Sequence, residues 1–238
     1  MATIEIFKNT DEISEAIADI LKKLIEQPGK EPIHISLSGG NTPKTVFKYL
    51  NEKYGKHLAD ERFHFWWGDD RCVPPTHPDS NYKWANELWL APVGIAPKNI
   101  HRVIGENEPE EEAVRYAEEI RNTLTEKNGL PVFDLIILGL GDDGHTASIF
   151  PNQMELLTAI ELCAVATNPY SGQIRVSFTG KLINNAHHVV FLATGENKAN
   201  KVKEVIADKN EALPATHIQP VHGQITWILD QAATKLLI

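Results

Sequence analysis

The sequence predicts a single α/β domain over residues 1–238, with three layers and a mostly parallel sheet between helices. Two observations predict it. Apolar runs, above all Val132 to Leu138 and His188 to Ala193, read as strands buried on both faces, which belong to sheets covered by helices. Between such runs lie segments whose apolar residues recur at helical spacing, so strands and helices alternate nearly throughout.

Ile4 to Phe7 alternates apolar and polar residues, as a short edge strand does. Asp11 to Gln27 is the first helix, with Ile13, Ile17, Ile20, Leu21 and Leu24 on one face, Thr10 or Asp11 to cap it and Pro28-Gly29 to end it. Ile33 to Leu37 is the next strand and runs into Ser38-Gly39-Gly40-Asn41-Thr42-Pro43. Thr42 suits an N-cap and Pro43 the first helical position, with the helix continuing through Tyr54. A strand, a glycine turn and a helix start together form a ready anion site, because backbone N–H groups point outward there. The alternative is an ordinary tight turn.

Phe63 to Trp67 is a third strand, followed by Gly68-Asp69-Asp70-Arg71-Cys72-Val73-Pro74 in a loop. The planar fork of Arg71 suits an oxyanion or a phosphate. A helix follows from about Tyr82 to Leu90, with Trp84, Leu88 and Trp89 as its packed face, and Pro109 to Asn128 is a longer one. The run Glu110 to Glu112 suits its first turn and reads as a solvated face.

The chain turns on the stretch from Val132 to Pro151. Its strand breaks into Gly139-Leu140-Gly141-Asp142-Asp143-Gly144-His145. The glycines let a ligand approach the backbone. An imidazole next to a carboxylate at a strand's carboxyl end is a candidate for proton transfer. The same glycines match a dinucleotide fingerprint, G-x-G-x-x-G, but that pattern should open the first βαβ unit and be followed about 20 residues on by an acid at a strand tip. Here it lies past mid-chain, and the run Leu162 to Ala166 ends in Thr167-Asn168.

Gly172 to Thr179 alternates like a strand and carries Arg175 among apolar neighbours, the sign of either an edge strand or a site. The strand His188 to Ala193 ends in Thr194-Gly195-Glu196-Asn197-Lys198 before a helix from Ala199 to Asp208. Ile225 to Leu229 is read as the last strand and Gln231 to Ile238 as a short final helix.

Lys and Arg total 23 and Asp and Glu 32, a net charge of −9, which argues against nucleic-acid binding while leaving room for an anionic small molecule. The two cysteines, Cys72 and Cys163, show no metal or redox spacing. Such low cysteine usage suits a cytoplasmic location. No signal peptide or membrane span is read.

Together, Ser38-Gly39-Gly40-Asn41-Thr42-Pro43, Asp69-Asp70-Arg71-Cys72-Val73-Pro74 with Ser80-Asn81, the run Gly139 to Pro151, Arg175-Val176-Ser177-Phe178-Thr179 and Gly195-Glu196-Asn197-Lys198-Ala199 resemble the successive motifs of the 6-phosphogluconolactonases. The resemblance implies a Rossmann-like fold shared with the glucosamine-6-phosphate isomerase/deaminase group. It also implies hydrolysis of 6-phospho-D-glucono-1,5-lactone, the second step of the oxidative pentose phosphate pathway, with no cofactor and no metal. The expected partner is a phosphosugar lactone, with neither nucleic acid nor membrane involved, and the expected state is a monomer or small homo-oligomer. His145, Asp143 and Arg71 are expected to carry the chemistry. Ser38, Gly39, Gly40, Arg175 and Lys198 are expected to hold the phosphate, with Asp69, Asn81 and Gly144 in the substrate site. The family often has Asp-Glu-Arg where this chain has Asp69-Asp70-Arg71. Deaminase relatives place a glutamate before the proline, where this chain has Phe150. A phosphosugar sensor without turnover is the reading from another class.

Overall fold

The structure, a computed structural model, describes residues 2–29 and 32–237. Its elements are β1 (Thr3–Phe7), α1 (Thr10–Ile25), β2 (Ile33–Leu37), α2 (Asn41–Tyr54), β3 (Phe63–Trp67), β4 (Asp69–Arg71), α3 (Asn81–Ala85), α4 (Ala91–Val93), α5 (Pro109–Thr123), β5 (Glu126–Lys127), β6 (Leu130–Pro131), β7 (Leu135–Gly139), β8 (Cys163–Thr167), β9 (Ile174–Phe178), α6 (Gly180–Ile183), β10 (His188–Ala193), α7 (Ala199–Ile206) and β11 (Gln224–Asp230). Six strands form one sheet in the order β1-β11-β10-β7-β2-β3, and all its pairings are parallel.

Alternation along the strands divides the core in two. Leu135 and Ile137 of β7 pack with α1 and α2 on one face, beside Ile17, Leu21 and Phe47. Ile136 and Leu138 point the other way and pack with Tyr116 and Ile120 of α5 and Val202 of α7. Trp66 and Trp67, adjacent on β3, fall on opposite faces for the same reason and are both fully buried. The three-layer arrangement is therefore the one the apolar runs predict.

The sheet has a switch point. From β2 the chain builds outward to β3, whereas from β7 it builds the other way through β10 and β11. β2 and β7 are neighbours, paired at Ile35↔Leu135 and Ser36↔Ile136. Their carboxyl ends diverge into separate loops, and a crevice opens between them where open α/β sheets bind ligands.

Several elements differ from the sequence-based expectation. Asn9 caps α1, its side chain accepting the Glu12 N–H at 2.9 Å, so the helix starts one residue ahead of Asp11. α2 begins at Asn41 behind Gly40, whose φ of 109° only glycine adopts readily, so Pro43 lies inside the first turn. The helix after Ser80 passes through a π-helical turn at Asn86–Leu90. In it Trp89 is buried, while Trp84 is half-buried under the ammonium groups of Lys44 and Lys83. α5 stops at Thr123 and a small β5–β6 hairpin takes the rest of the expected helix. Glu112 is fully buried, against the solvated reading. It accepts the Ile104 N–H at 2.7 Å and the Asn107 amide at 2.8 Å, and it pairs with Arg115 at 2.6 Å. Residues 231–237 form turns rather than a helix, and Ile238 lies outside the described residues.

The largest departure is a second sheet. β4, β9 and β8 form a three-stranded antiparallel sheet at the carboxyl end of β3. Asp69-Asp70-Arg71 is thus a strand, not a loop, and β9 is its central member, not an edge.

Candidate active site

A cleft of about 250 Å³ lies over the β2–β7 switch point. Ser38, Gly39, Gly40, Asp69, Arg71, Asn81, His145, Arg175 and Lys198 line it, together with Gly139, Leu140, Gly141, Asp142 and Ala147. Nine of the eleven expected site residues therefore meet in one place. Asp143 stands behind His145 and is brought in through it. Gly144 is the exception: with φ 85° it turns the chain under Leu213, whose side chain would be 2.8 Å from an added Cβ. That conformation and packing shape the loop that carries His145.

The His145 loop is built by its own hydrogen bonds. The Gly141 N–H donates to the His145 carbonyl at 2.8 Å, and the Gly144 N–H to the Gly141 carbonyl at 3.1 Å. The Thr146 hydroxyl donates to the Gly139 carbonyl at 2.9 Å. No helix follows His145; residues 140–153 are irregular. Gly141 is required by contact: a Cβ there would lie 2.1 Å from His145 Nδ1. Ala147 at the cleft wall has φ 47°, a left-handed conformation uncommon for a residue with a Cβ.

Asp143 Oδ1 accepts the His145 backbone N–H at 3.0 Å and lies 2.5 Å from ring Nδ1. With Nδ1 committed to the carboxylate, Nε2 is the nitrogen left to exchange a proton. Burial raises the Asp143 carboxyl, but the His145 ring and N–H bonds outweigh burial and hold it down to about 2, so it is ionised at neutral pH. The imidazole also rests on Phe150, 4.5 Å between ring centres.

The opposite wall is cationic. Arg71 of β4 pairs in register with Arg175 of β9. Arg175 is 7% exposed, its guanidinium 3.6 Å from Asp69 and 3.3 Å from the Ser148 hydroxyl. Ser148 in turn donates to Asp69 at 2.7 Å. The Arg71 guanidinium donates to the Asp79 carbonyl at 2.5 Å. Nε of each arginine is buried without a partner, so both retain donor capacity facing inward. Burial lowers the Arg175 guanidinium, as does the Arg71 charge, against the pull of Asp69. Lys44 is lowered by burial and then by Arg71 and Lys83. Two adjacent guanidinium groups, of which only Arg175 has a carboxylate within ion-pair distance, are arranged for an anion. A chain of net charge −9 has concentrated positive charge here.

The third wall is the glycine turn after β2. Gly39 has no room for a side chain because Asn81 occupies it, Oδ1 lying 1.8 Å from where a Cβ would be. Asn81 is held by its amide on the Asp69 carbonyl at 2.9 Å and by its N–H on Asp70 Oδ1 at 2.7 Å. Asp70 is buried and does not face the cleft. It accepts the Arg71, Asn81 and Tyr82 N–H groups at 2.8, 2.7 and 2.9 Å, anchoring the loop that carries Asn81. Burial pushes its carboxyl up to about 6 although these N–H groups pull the other way. Lys198, ahead of α7, closes the cleft and is paired with Asp142 at 2.5 Å.

Sequence reasoning missed Ser148 and Gln173. Ser148 sits in a quoted motif but shows its role only through Asp69, which is distant in the chain. Gln173 ties the two arginines' supports together, its amide on Asp79 at 3.0 Å and its carbonyl 3.4 Å from Arg175. Of the two cysteines, Cys163 is in the core, and burial pushes the Cys72 thiol up to about 11, which leaves it a poor nucleophile.

Residues 8–227 match the family model described as glucosamine-6-phosphate isomerases/6-phosphogluconolactonase. The chain is 47% identical to the 6-phosphogluconolactonase of Haemophilus influenzae, over 87% of this chain and 88% of that one. The crystal structure of a devB protein covers 100% of both chains at 40% identity with a TM-score of 0.94. The 6-phosphogluconolactonase of Trypanosoma brucei superposes over 100% of this chain and 99% of its own, at 28% identity with a TM-score of 0.87. The chain belongs to the glucosamine-6-phosphate isomerase/6-phosphogluconolactonase family.

Proposed function

We propose that the chain is a lactone hydrolase that converts 6-phospho-D-glucono-1,5-lactone to 6-phospho-D-gluconate, the lactonase step of the oxidative pentose phosphate pathway. The observation that carries the reading is the His145–Asp143 pair facing a wall of two arginines across one cleft. A lactone is an activated ester, so one base and a positioned water suffice. His145 Nε2 takes a proton from water as its oxygen attacks the lactone carbonyl carbon. The ionised Asp143 stabilises the imidazolium that forms. Arg71 and nearby backbone N–H groups stabilise the developing oxyanion. When the tetrahedral intermediate collapses, the ring C–O bond breaks and the imidazolium returns the proton to the departing oxygen. The turn at Ser38, Gly39 and Gly40, at the N-terminus of α2, holds the phosphate with Arg175 and Lys198. Asp69 and Asn81 keep Arg175 and the turn in place.

Phe150 supports hydrolysis over amino-sugar isomerisation. Where the deaminase pattern has a glutamate, this chain puts a fully buried ring against His145. The test is the decay of freshly made lactone with wild-type protein, with His145→Ala and with no protein, since the lactone also opens unaided. His145→Ala is expected to lower kcat by roughly a hundredfold or more. Equal decay with both proteins would remove His145 as the base. Blank-level decay with folded wild type would remove the hydrolase reading in favour of a phosphosugar sensor.

A further inference from the structure

The β8–β9 hairpin brings one more polar group to the His145–Asp143 pair. Asp143 makes both of its bonds to His145 through a single oxygen, Oδ1. Its other oxygen, Oδ2, is buried without a hydrogen-bond partner. A carboxylate oxygen removed from water needs a donor, and otherwise it carries the full desolvation penalty.

Tyr170 faces that acid. It stands at the hairpin tip, and with Asp142, Asp143 and His145 it encloses a hollow of about 260 Å³ beside the cleft. The backbone around it is fixed locally. Asn168 Oδ1 accepts the N–H groups of Tyr170 and Ser171 at 2.9 and 3.1 Å, and the Gly172 N–H reaches the Asn168 carbonyl at 2.9 Å. The side chain is 76% exposed, and its hydroxyl interacts with the Asp143 carboxylate, which it helps to hold below its ordinary range. Rotation about two side-chain bonds moves the hydroxyl without disturbing the hairpin. The Asp143 charge raises the phenol's ionisation further above its usual range, so the hydroxyl is a donor at neutral pH. The same hairpin carries Arg175 and Gln173, so the element that builds the anion wall also reaches the base.

We propose that Tyr170 is a positioning residue for the reaction: its hydroxyl donates to Asp143 Oδ2, locks the carboxylate that orients His145, and its ring covers the outer face of the pair. It touches no reacting atom. Its kinetic effect rests on the reading of His145 as the base, whereas the contact itself does not.

The other charged groups facing the imidazole are Asp142 and Lys198, which neutralise each other, and Arg71 and Arg175 across the cleft. None changes when Tyr170 loses its hydroxyl. A donor on Oδ2 spreads the carboxylate charge and weakens its hold on the imidazolium. Removing that donor strengthens the hold.

The experiment follows the His145 ring by NMR across pH in the full-length wild type, Tyr170→Phe and Tyr170→Ala, with no lactone present. Activity against pH is then measured on the same proteins. Both variants are expected to titrate at His145 about 0.3–0.5 pH units higher than wild type. The acidic limb of the kcat profile moves the same way, kcat falls about three- to tenfold, and KM stays within about twofold. An unchanged ring titration overturns the proposal. So does a raised KM with kcat and the acidic limb unchanged, because Tyr170 would then contact substrate instead of Asp143. A shifted titration in a protein that does not hydrolyse the lactone would keep the contact and overturn the function. Activity lost in His145→Ala with no titration shift in Tyr170→Phe would do the reverse.

Discussion

Arg71 lies directly opposite Arg175 in the antiparallel pairing of β4 and β9, yet only Arg175 has a carboxylate within ion-pair distance. This asymmetry separates what the two arginines do for the fold from what they do for a ligand. Arg175→Met leaves Asp69 buried and uncompensated, and is expected to destabilise the protein by about 3 kcal/mol while raising KM for the phosphorylated lactone. Arg71→Met loses one hydrogen bond and relieves like-charge repulsion. It is expected to change stability by no more than about 1 kcal/mol while lowering kcat about a hundredfold. Denaturant melts and steady-state kinetics on the two variants check this. Equal stability losses would show that the arginines share the Asp69 charge.

Gly141→Ala tests how tightly the imidazole is placed. An added methyl would fall 2.1 Å from His145 Nδ1, so the ring has to turn away from Asp143. The expected result is a kcat reduced by about tenfold to a hundredfold with KM little changed. A crystal structure or ring NMR of the variant should show the displaced imidazole. Wild-type kcat would mean that the His145–Asp143 distance is not critical.

Asp143 also sets a pH dependence of stability. Its folded carboxyl is held at about 2 against an ordinary value of 3.8, so its contribution is complete above about pH 4 and is lost as pH falls towards 2. Asp143→Asn removes a group that titrates in that window. Its melting temperature is expected to fall less steeply than that of wild type between pH 4 and 2. Parallel curves would show that the His145–Asp143 bond adds nothing to the folded state.

Asp70→Asn addresses the acid that lies outside the cleft but holds one of its walls. Asparagine keeps one acceptor oxygen and turns an amide towards the N–H groups that Asp70 now accepts from Arg71, Asn81 and Tyr82. The expected cost is about 1–3 kcal/mol of stability. KM should rise as well, because Asn81 moves against the turn at Gly39. A rise in KM with unchanged stability would place Asp70 in contact with substrate instead.

The parallel sheet was legible because its strands are apolar or alternating runs and most end in glycine turns, and the site residues could be found at those ends. The second sheet was not. β4 is Asp-Asp-Arg, three residues with no intrinsic preference for a strand, and it is extended only because β9 supplies the ladder. Arg175 could be read as an edge strand or a site because its burial depends on Asp69, far along the chain, and Glu112 read as solvated because the Ile104–Asn107 loop that buries it has no pattern of its own. α5 stops at Thr123, where the local β5–β6 hairpin takes over the chain. Gly144 was expected in the substrate site with the rest of its motif; the backbone turns there under Leu213, a contact that only the folded chain makes.

The ion pair between Lys198 and Asp142 gives two substitutions opposite signs. Both line the cleft, and Lys198 is the more buried member, at 21% side-chain exposure against 77% for Asp142. A phosphate must take Lys198 from Asp142 or share it. Lys198→Ala is therefore expected to raise KM for the phosphorylated lactone and to leave an unphosphorylated lactone unaffected. Asp142→Asn frees the ammonium, and an exposed pair of this kind is worth up to about 1 kcal/mol, so KM should fall by at most about fivefold. The gain should shrink at high salt, where the pair is already screened. Kinetics with both lactones at two ionic strengths check all three statements. If Lys198→Ala weakens both substrates equally, Lys198 does not hold the phosphate. If Asp142→Asn raises KM, Asp142 positions the lysine instead of competing for it.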